Sequence, residues 1–263
     1  MPTAGPWPAT DAAASSHPRR RWRPLPRRGL AWLAGTTLLM LLGAAAIVRW
    51  DIAARREAFA AEARIAHRLL SQSAAQLDAV LATLTLVSPT VGADEPAARL
   101  PALWPAVLAV QRSDAQHPWP DATLAAADAQ SRALAAGQRH AVLAAVDPAL
   151  GHYTLVLAGN PASWALRVDA RRLVPAGEWP LSDTGPVRAV LLIDGHPLVL
   201  HPGTPAAQQP AGLTPGFAFA KQLATPSQRF ELRLQRATGP AQWPWAWLLA
   251  WAVACAAAAG GLA

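Results

Sequence analysis

Residues 59–84 read FAAEARIAHRLLSQSAAQLDAVLATL, and this stretch decides the fold. Apolar or small side chains recur there at intervals of three and four residues, which places them on one face of an α-helix. They are Phe59, Ala63, Ala66, Leu70, Ala74, Leu77, Leu81 and Leu84. No glycine or proline interrupts the pattern before Pro89. The sequence therefore predicts one long helix over residues 49–87, which either packs on a domain core or also pairs with a second subunit as a signalling stalk.

An uncharged apolar stretch, LAWLAGTTLLMLLGAAAIV, occupies residues 30–48. At about 1.5 Å per residue it is long enough to cross roughly 30 Å of hydrocarbon, so it predicts a first transmembrane helix. Residues 1–29 are rich in proline and arginine, which predicts a disordered tail and, by the positive-inside rule, a cytoplasmic N-terminus. A cleaved signal peptide is the alternative, since residues 44–46 are alanines. The length of the apolar stretch favours an uncleaved anchor.

A second uncharged apolar stretch, WPWAWLLAWAVACAAAAGGLA, occupies residues 243–263. Tryptophans gather at its beginning, as they do where a transmembrane helix meets the membrane interface. It predicts a second transmembrane helix. No lysine or arginine follows it, so we expect the natural protein to continue beyond Ala263. Two spans would then flank an outer domain over residues 49–242.

Within residues 100–236 the pattern changes to short strands. Candidate strands cover residues 105–110, 153–158, 164–168, 187–193, 197–200, 217–223 and 230–234, with a helix over residues 121–136. The pair Asp194-Gly195 lies between two apolar runs, which is typical of a tight β-hairpin turn. Closely spaced strands without intervening helices favour antiparallel pairing. The sequence predicts an α+β fold in which the long helix packs with a single antiparallel sheet.

Composition and motifs narrow the function. The net charge of +7 is largely local to the tail, so it does not indicate nucleic-acid binding. The single cysteine, Cys255, lies in the second apolar stretch and leaves the outer domain without a disulfide. No catalytic, phosphate-binding or metal-binding motif occurs, so we expect no cofactor and no catalytic residue.

The order of parts resembles the N-terminal sensor half of bacterial two-component sensor histidine kinases with a periplasmic PAS-like (Cache-type) domain. The similarity lies in four runs: AHRLLSQSAAQLDAVLATL (66–84), LPALWPAVLAV (100–110), YTLVLAGNPASWALRVD (153–169) and RFELRLQR (229–236). The resemblance implies an inner-membrane homodimer whose single, enlarged periplasmic domain reports a small ligand. It also implies a cytoplasmic kinase module and a response regulator further along the pathway. The alternative is a two-span envelope protein that binds another protein and has no output domain.

Candidate ligand contacts follow from polar or aromatic side chains on the predicted strands. They are Lys221, Tyr153, Trp164, Arg167 and His152. Lys221 shares a strand face with apolar residues, so its ammonium either meets a carboxylate ligand or extends to water. Arg167 either lies on a solvent-exposed strand face or contacts the ligand. The Tyr153 hydroxyl, if buried, needs a partner in the protein or in the ligand.

Overall fold

The computed structural model describes residues 27–86, 94–134, 139–181, 187–203, 216–238 and 243–261. The helices are α1 (Arg27–Leu86), α2 (Asp94–Leu103), α3 (Ala122–Ala133) and α4 (Trp245–Gly261). The strands are β1 (Val107–Ser113), β2 (Val142–Asp147), β3 (His152–Leu157), β4 (Ser163–Asp169), β5 (Val187–Ile193), β6 (His196–His201), β7 (Gly216–Gln222) and β8 (Glu231–Ala237). The chain divides into an apolar unit, Met1–Ile47 with Trp245–Ala263, and a sheet unit, Val48–Pro244.

In the sheet unit, the predicted face of α1 forms the centre of the core. Every apolar position that the helical spacing assigned to this face is at most 9% exposed, and all of them belong to one hydrophobic cluster. The prediction of a long amphipathic helix is therefore confirmed. The long helix predicted over residues 49–87 does not begin separately from the apolar stretch before it. Both belong to α1, which is one helix from Arg27 to Leu86. The predicted tail, apart from residues 27–29, lies outside the described residues.

Two four-stranded sheets pack against this helix face. The first has the strand order β1-β4-β3-β2 and the second β6-β5-β8-β7, with antiparallel pairing throughout. Leu155 and Leu166 of the first sheet join Leu191 and Leu232 of the second in the cluster around α1. The predicted α+β class is confirmed. The prediction of a single antiparallel sheet was wrong, because the strands form two sheets. Alternating apolar residues show which face of a strand is buried, but they do not show which strands pair.

The described elements also include two that the sequence pattern did not reveal. Helix α2 contains Pro101, a residue that normally argues against a helix interior. Strand β2 has only partial burial along most of its length, so its alternation is weak. The predicted helix over residues 121–136 forms α3, and Asp121 caps it, because its carboxylate accepts a hydrogen bond from the Thr123 amide at 2.8 Å. The Asp194-Gly195 hairpin is also confirmed, with positive φ angles of 49° and 79°.

In the apolar unit, one described helix is long and apolar enough to cross a membrane, with its candidate region at Ala34–Leu86. The second predicted span forms α4, whose apolar part, Trp245–Gly260, is shorter than that length requirement. At about 1.5 Å per residue its 17 residues reach only about 26 Å. The prediction of two full-length spans is thus corrected to one candidate span plus a shorter apolar helix among the described residues.

The two helical segments of the apolar unit meet at a glycine. The Trp251 indole lies against Gly43 so closely that a Cβ atom at position 43 would overlap the ring. The indole Nε1 donates a hydrogen bond to the Met40 carbonyl oxygen at 3.1 Å. Gly43 is therefore required for this close approach, and the hydrogen bond satisfies the one polar group of the indole.

Candidate ligand-binding site

The first sheet brings two of the sequence-predicted side chains together. On β3, successive side chains alternate between faces, so His152 and Thr154 extend from the face opposite Tyr153. Arg167 of β4 is the antiparallel partner of Thr154 and therefore lies on the same face as His152. The Arg167 guanidinium Nη2 is 3.4 Å from His152 Nδ1. If Nδ1 accepts that hydrogen bond, the imidazole carries its proton on Nε2.

This face of the sheet forms the wall of a pocket of about 260 Å³. The beginning of α3 supplies Asp121 and Leu124 to the same pocket. The remaining lining residues come from the first sheet: Gln111, Ala145, Val146, Asp147, His152, Tyr153, Thr154, Ala165 and Arg167. The pocket is thus a polar concavity between the outer face of the first sheet and the N-terminus of α3.

The carboxylates of the pocket are already engaged with backbone amides. Asp121 Oδ1 accepts from Thr123 N, and Asp147 Oδ1 accepts from the amides of Ala149 and Leu150, both at 3.1 Å. Arg167, by contrast, lies within ion-pair distance of no carboxylate in the part of the chain that the structure describes. The Arg167 guanidinium, beside His152, is therefore a cationic hydrogen-bond donor exposed to the pocket.

No family model, curated protein or solved structure matches this chain. Within the described ranges, no group of three or more His, Cys, Asp or Glu side chains is arranged to hold a metal ion.

The side chains of the remaining predicted site residues lie outside the pocket, although the backbone of Tyr153 is part of its wall. The Tyr153 side chain is buried on the α1 side of the sheet, where its hydroxyl donates to Gln228 Oε1 at 2.7 Å. Burial, and secondarily the charge of Asp78, raise the pKa of the Tyr153 hydroxyl well above its ordinary value of 10. Trp164 is also buried in the core, with the Arg112 guanidinium 5.9 Å from its ring centroid. Lys221 is exposed on β7 of the second sheet.

Sequence reasoning missed several pocket residues. Gln111 and Thr154 are neutral polar residues on strands, and Asp147 is the last residue of β2, a strand that the pattern did not reveal. Asp121 begins the predicted helix over residues 121–136, and that pattern does not indicate that its side chain lines a pocket. The signal available for Thr154 was its position two residues after His152, on the strand face that alternation assigns to His152.

Proposed function

We propose that this chain is the sensor part of a bacterial membrane signalling protein, and that its outer domain binds a small carboxylate in the pocket of the first sheet. The observation that supports the proposal is the Arg167 guanidinium, which faces a pocket of about 260 Å³ without a carboxylate partner among the described residues. A planar guanidinium matches a carboxylate with two parallel hydrogen bonds. His152 and Thr154 offer further polar contacts beside it.

The membrane topology is part of the same proposal. The N-terminal part of α1 crosses the inner membrane, with the N-terminus in the cytoplasm and the sheet unit in the periplasm, and the shorter α4 packs against it through the contact between Gly43 and Trp251. The protein acts as a homodimer and passes its signal to a cytoplasmic histidine kinase module and a response regulator. What supports this is the order of apolar helix, sheet unit and apolar helix, together with the arginines upstream of α1.

Replacing Arg167 with alanine is expected to weaken carboxylate binding about tenfold or more, because hydrogen bonds to charged groups contribute roughly 1.5–3 kcal/mol. The measurement is calorimetric titration of the full chain in detergent micelles with acetate, succinate and citrate. At 100 times its dissociation constant a bound carboxylate should also stabilise the wild type by about 2.7 kcal/mol.

Arg233→Ala is the matched control, since Arg233 is an exposed arginine of the second sheet whose Nε donates to Glu231 Oε1. It should bind the carboxylates as the wild type does. Equal affinity in the Arg167 variant, or no carboxylate binding by the wild type at millimolar concentration, would contradict the site. Binding of inorganic phosphate alone would show that the ligand class is wrong.

The signalling part of the proposal has its own test, which is the reading frame of the source DNA beyond the codon for Ala263. A frame that continues into a phospho-accepting histidine helix and an ATP-binding domain would support a sensor kinase. A stop codon at that point would contradict it and would favour an envelope protein whose outer domain binds another protein.

A further inference from the structure

A row of polar groups on α1 holds the segment between β7 and β8. His67, Ser71, Ala74 and Asp78 follow one another at intervals of four, three and four residues, so they lie along one side of the helix. Each contacts residues 222–228, which we call the 222–228 connection. The connection leads into Phe230 and β8, the last strand before α4.

The individual contacts are short and specific. At one end, His67 Nε2 is 2.7 Å from the Gln222 carbonyl oxygen, and the Ala224 amide donates to Ser71 Oγ at 3.3 Å. At the other end, Gln228 Nε2 donates to the Ala74 carbonyl oxygen at 3.1 Å and to Asp78 Oδ1 at 3.4 Å. The Asp78 carboxylate also accepts from the Ser227 hydroxyl, at 2.6 Å to Oδ1 and in a second contact to Oδ2.

Asp78 is the carboxylate of this row, and burial makes its charge costly. Its carboxylate is half-buried and receives hydrogen bonds only from neutral donors among the described residues. Burial raises the pKa of Asp78 above its ordinary value of 3.8, and the hydrogen bonds from Ser227 and Gln228 only partly offset this. An ionised carboxylate therefore costs more when the 222–228 connection is packed than when water can reach it.

The surrounding elements supply few other charges. From the chain just before β2, the charge of His140 lowers the pKa of Asp78. From β3, Tyr153 stays neutral because its pKa is raised well above 10. On α1 itself the row contains His67, and the 222–228 connection contains no ionisable side chain. The charged side chains at its two ends, Lys221 and Arg229, are exposed.

We propose that the contact between α1 and the 222–228 connection is a pH-sensitive joint, which is held closed when the Asp78 carboxyl is protonated and opens more readily when it is ionised. Because the closed state binds the proton more tightly than the open state, acid favours closure. The destabilisation is fully present above the raised pKa of the closed state. It disappears as the pH falls through that value towards 3.8. The joint would respond to the pH around the sheet unit independently of any ligand, so this inference goes beyond the proposed function.

The test is hydrogen–deuterium exchange of the full chain in detergent micelles between pH 4 and pH 8, followed in peptides that cover residues 222–230. Asp78→Asn mimics the protonated form and keeps an acceptor oxygen for Ser227. Reporter peptides of identical sequence have the same intrinsic exchange rate, so the ratio of wild-type to variant exchange reports opening alone. We expect this ratio to be constant near pH 4, to rise by up to about tenfold per pH unit above that, and then to level off. A ratio that does not change with pH would overturn the proposal.

Asp51→Asn is the matched control, because Asp51 lies on the same helix but pairs with Arg55 at 2.7 Å. This variant should show the same pH dependence as the wild type in the reporter peptides. If the Asp78 variant does not fold, the pH dependence of exchange in the wild type alone tests the proposal. Its 222–230 peptides should then lose protection with rising pH relative to peptides of the β5–β6 hairpin. If both regions lose protection equally as the pH rises, the proposal of a pH-sensitive joint is overturned.

Discussion

Replacing Gln228 with leucine is expected to lower the free energy of unfolding of the sheet unit by about 2–4 kcal/mol. Gln228 is fully buried and accepts a hydrogen bond from the Tyr153 hydroxyl at 2.7 Å. Leucine has a similar size, so the loss comes from polar groups rather than from a cavity. A buried hydroxyl that loses its partner costs about 1–3 kcal/mol, and Asp78 loses one donor as well. Urea denaturation of the full chain in mild detergent, followed by circular dichroism, measures the change.

The double variant with Tyr153→Phe separates the lost hydrogen bond from other effects. Removing both partners of a buried hydrogen bond is less costly than removing one, since no unsatisfied group remains. The double variant should therefore be more stable than the sum of the two single changes predicts, by about 1 kcal/mol or more. Additive effects would mean that the contact between Tyr153 and Gln228 does not contribute to stability.

Replacing Leu77 with alanine is expected to cost about 2–5 kcal/mol. Leu77 is fully buried in the centre of the α1 face that carries both sheets, so the change removes apolar contacts and leaves a cavity. The same urea experiment measures the loss. Because the helix propensities of leucine and alanine are nearly equal, the difference reports packing.

Leu86→Ala provides the comparison on the same helix. Leu86 is 83% exposed, so its replacement should change the free energy of unfolding by no more than about 0.5 kcal/mol. If the two variants lose equal stability, the core does not lie on the α1 face that the structure shows.

The buried face of α1 could be predicted from the sequence because it depends on local periodicity. A spacing of three and four residues fixes which side chains share a helix face, whatever the helix packs against. The division of the strands between two sheets could not be predicted in this way. Pairing depends on contacts between distant segments, such as β5 with β8, whose paired residues range from Leu192 with Glu231 to Val187 with Arg236.

For the candidate site, too, the sequence predicts which strand face a side chain lies on but not which residues are neighbours across strands. Alternation along β3 and β4 correctly separates Arg167 from Leu166 and Val168, which are buried in the core. It does not reveal that Thr154 is the cross-strand partner of Arg167, because that requires the register. The role of Tyr153 was also hidden, since its partner Gln228 lies in a connection that carries no strand or helix pattern.

The contact between Gly43 and Trp251 has a consequence for how this protein can change over evolution. A larger residue at position 43 would overlap the indole, so it can be accepted only together with a smaller residue at position 251. Such a replacement would also leave the Met40 carbonyl oxygen without the donor that it now has. Among descendants of this sequence, substitutions at the two positions should therefore occur as pairs, and a single change at either should be selected against.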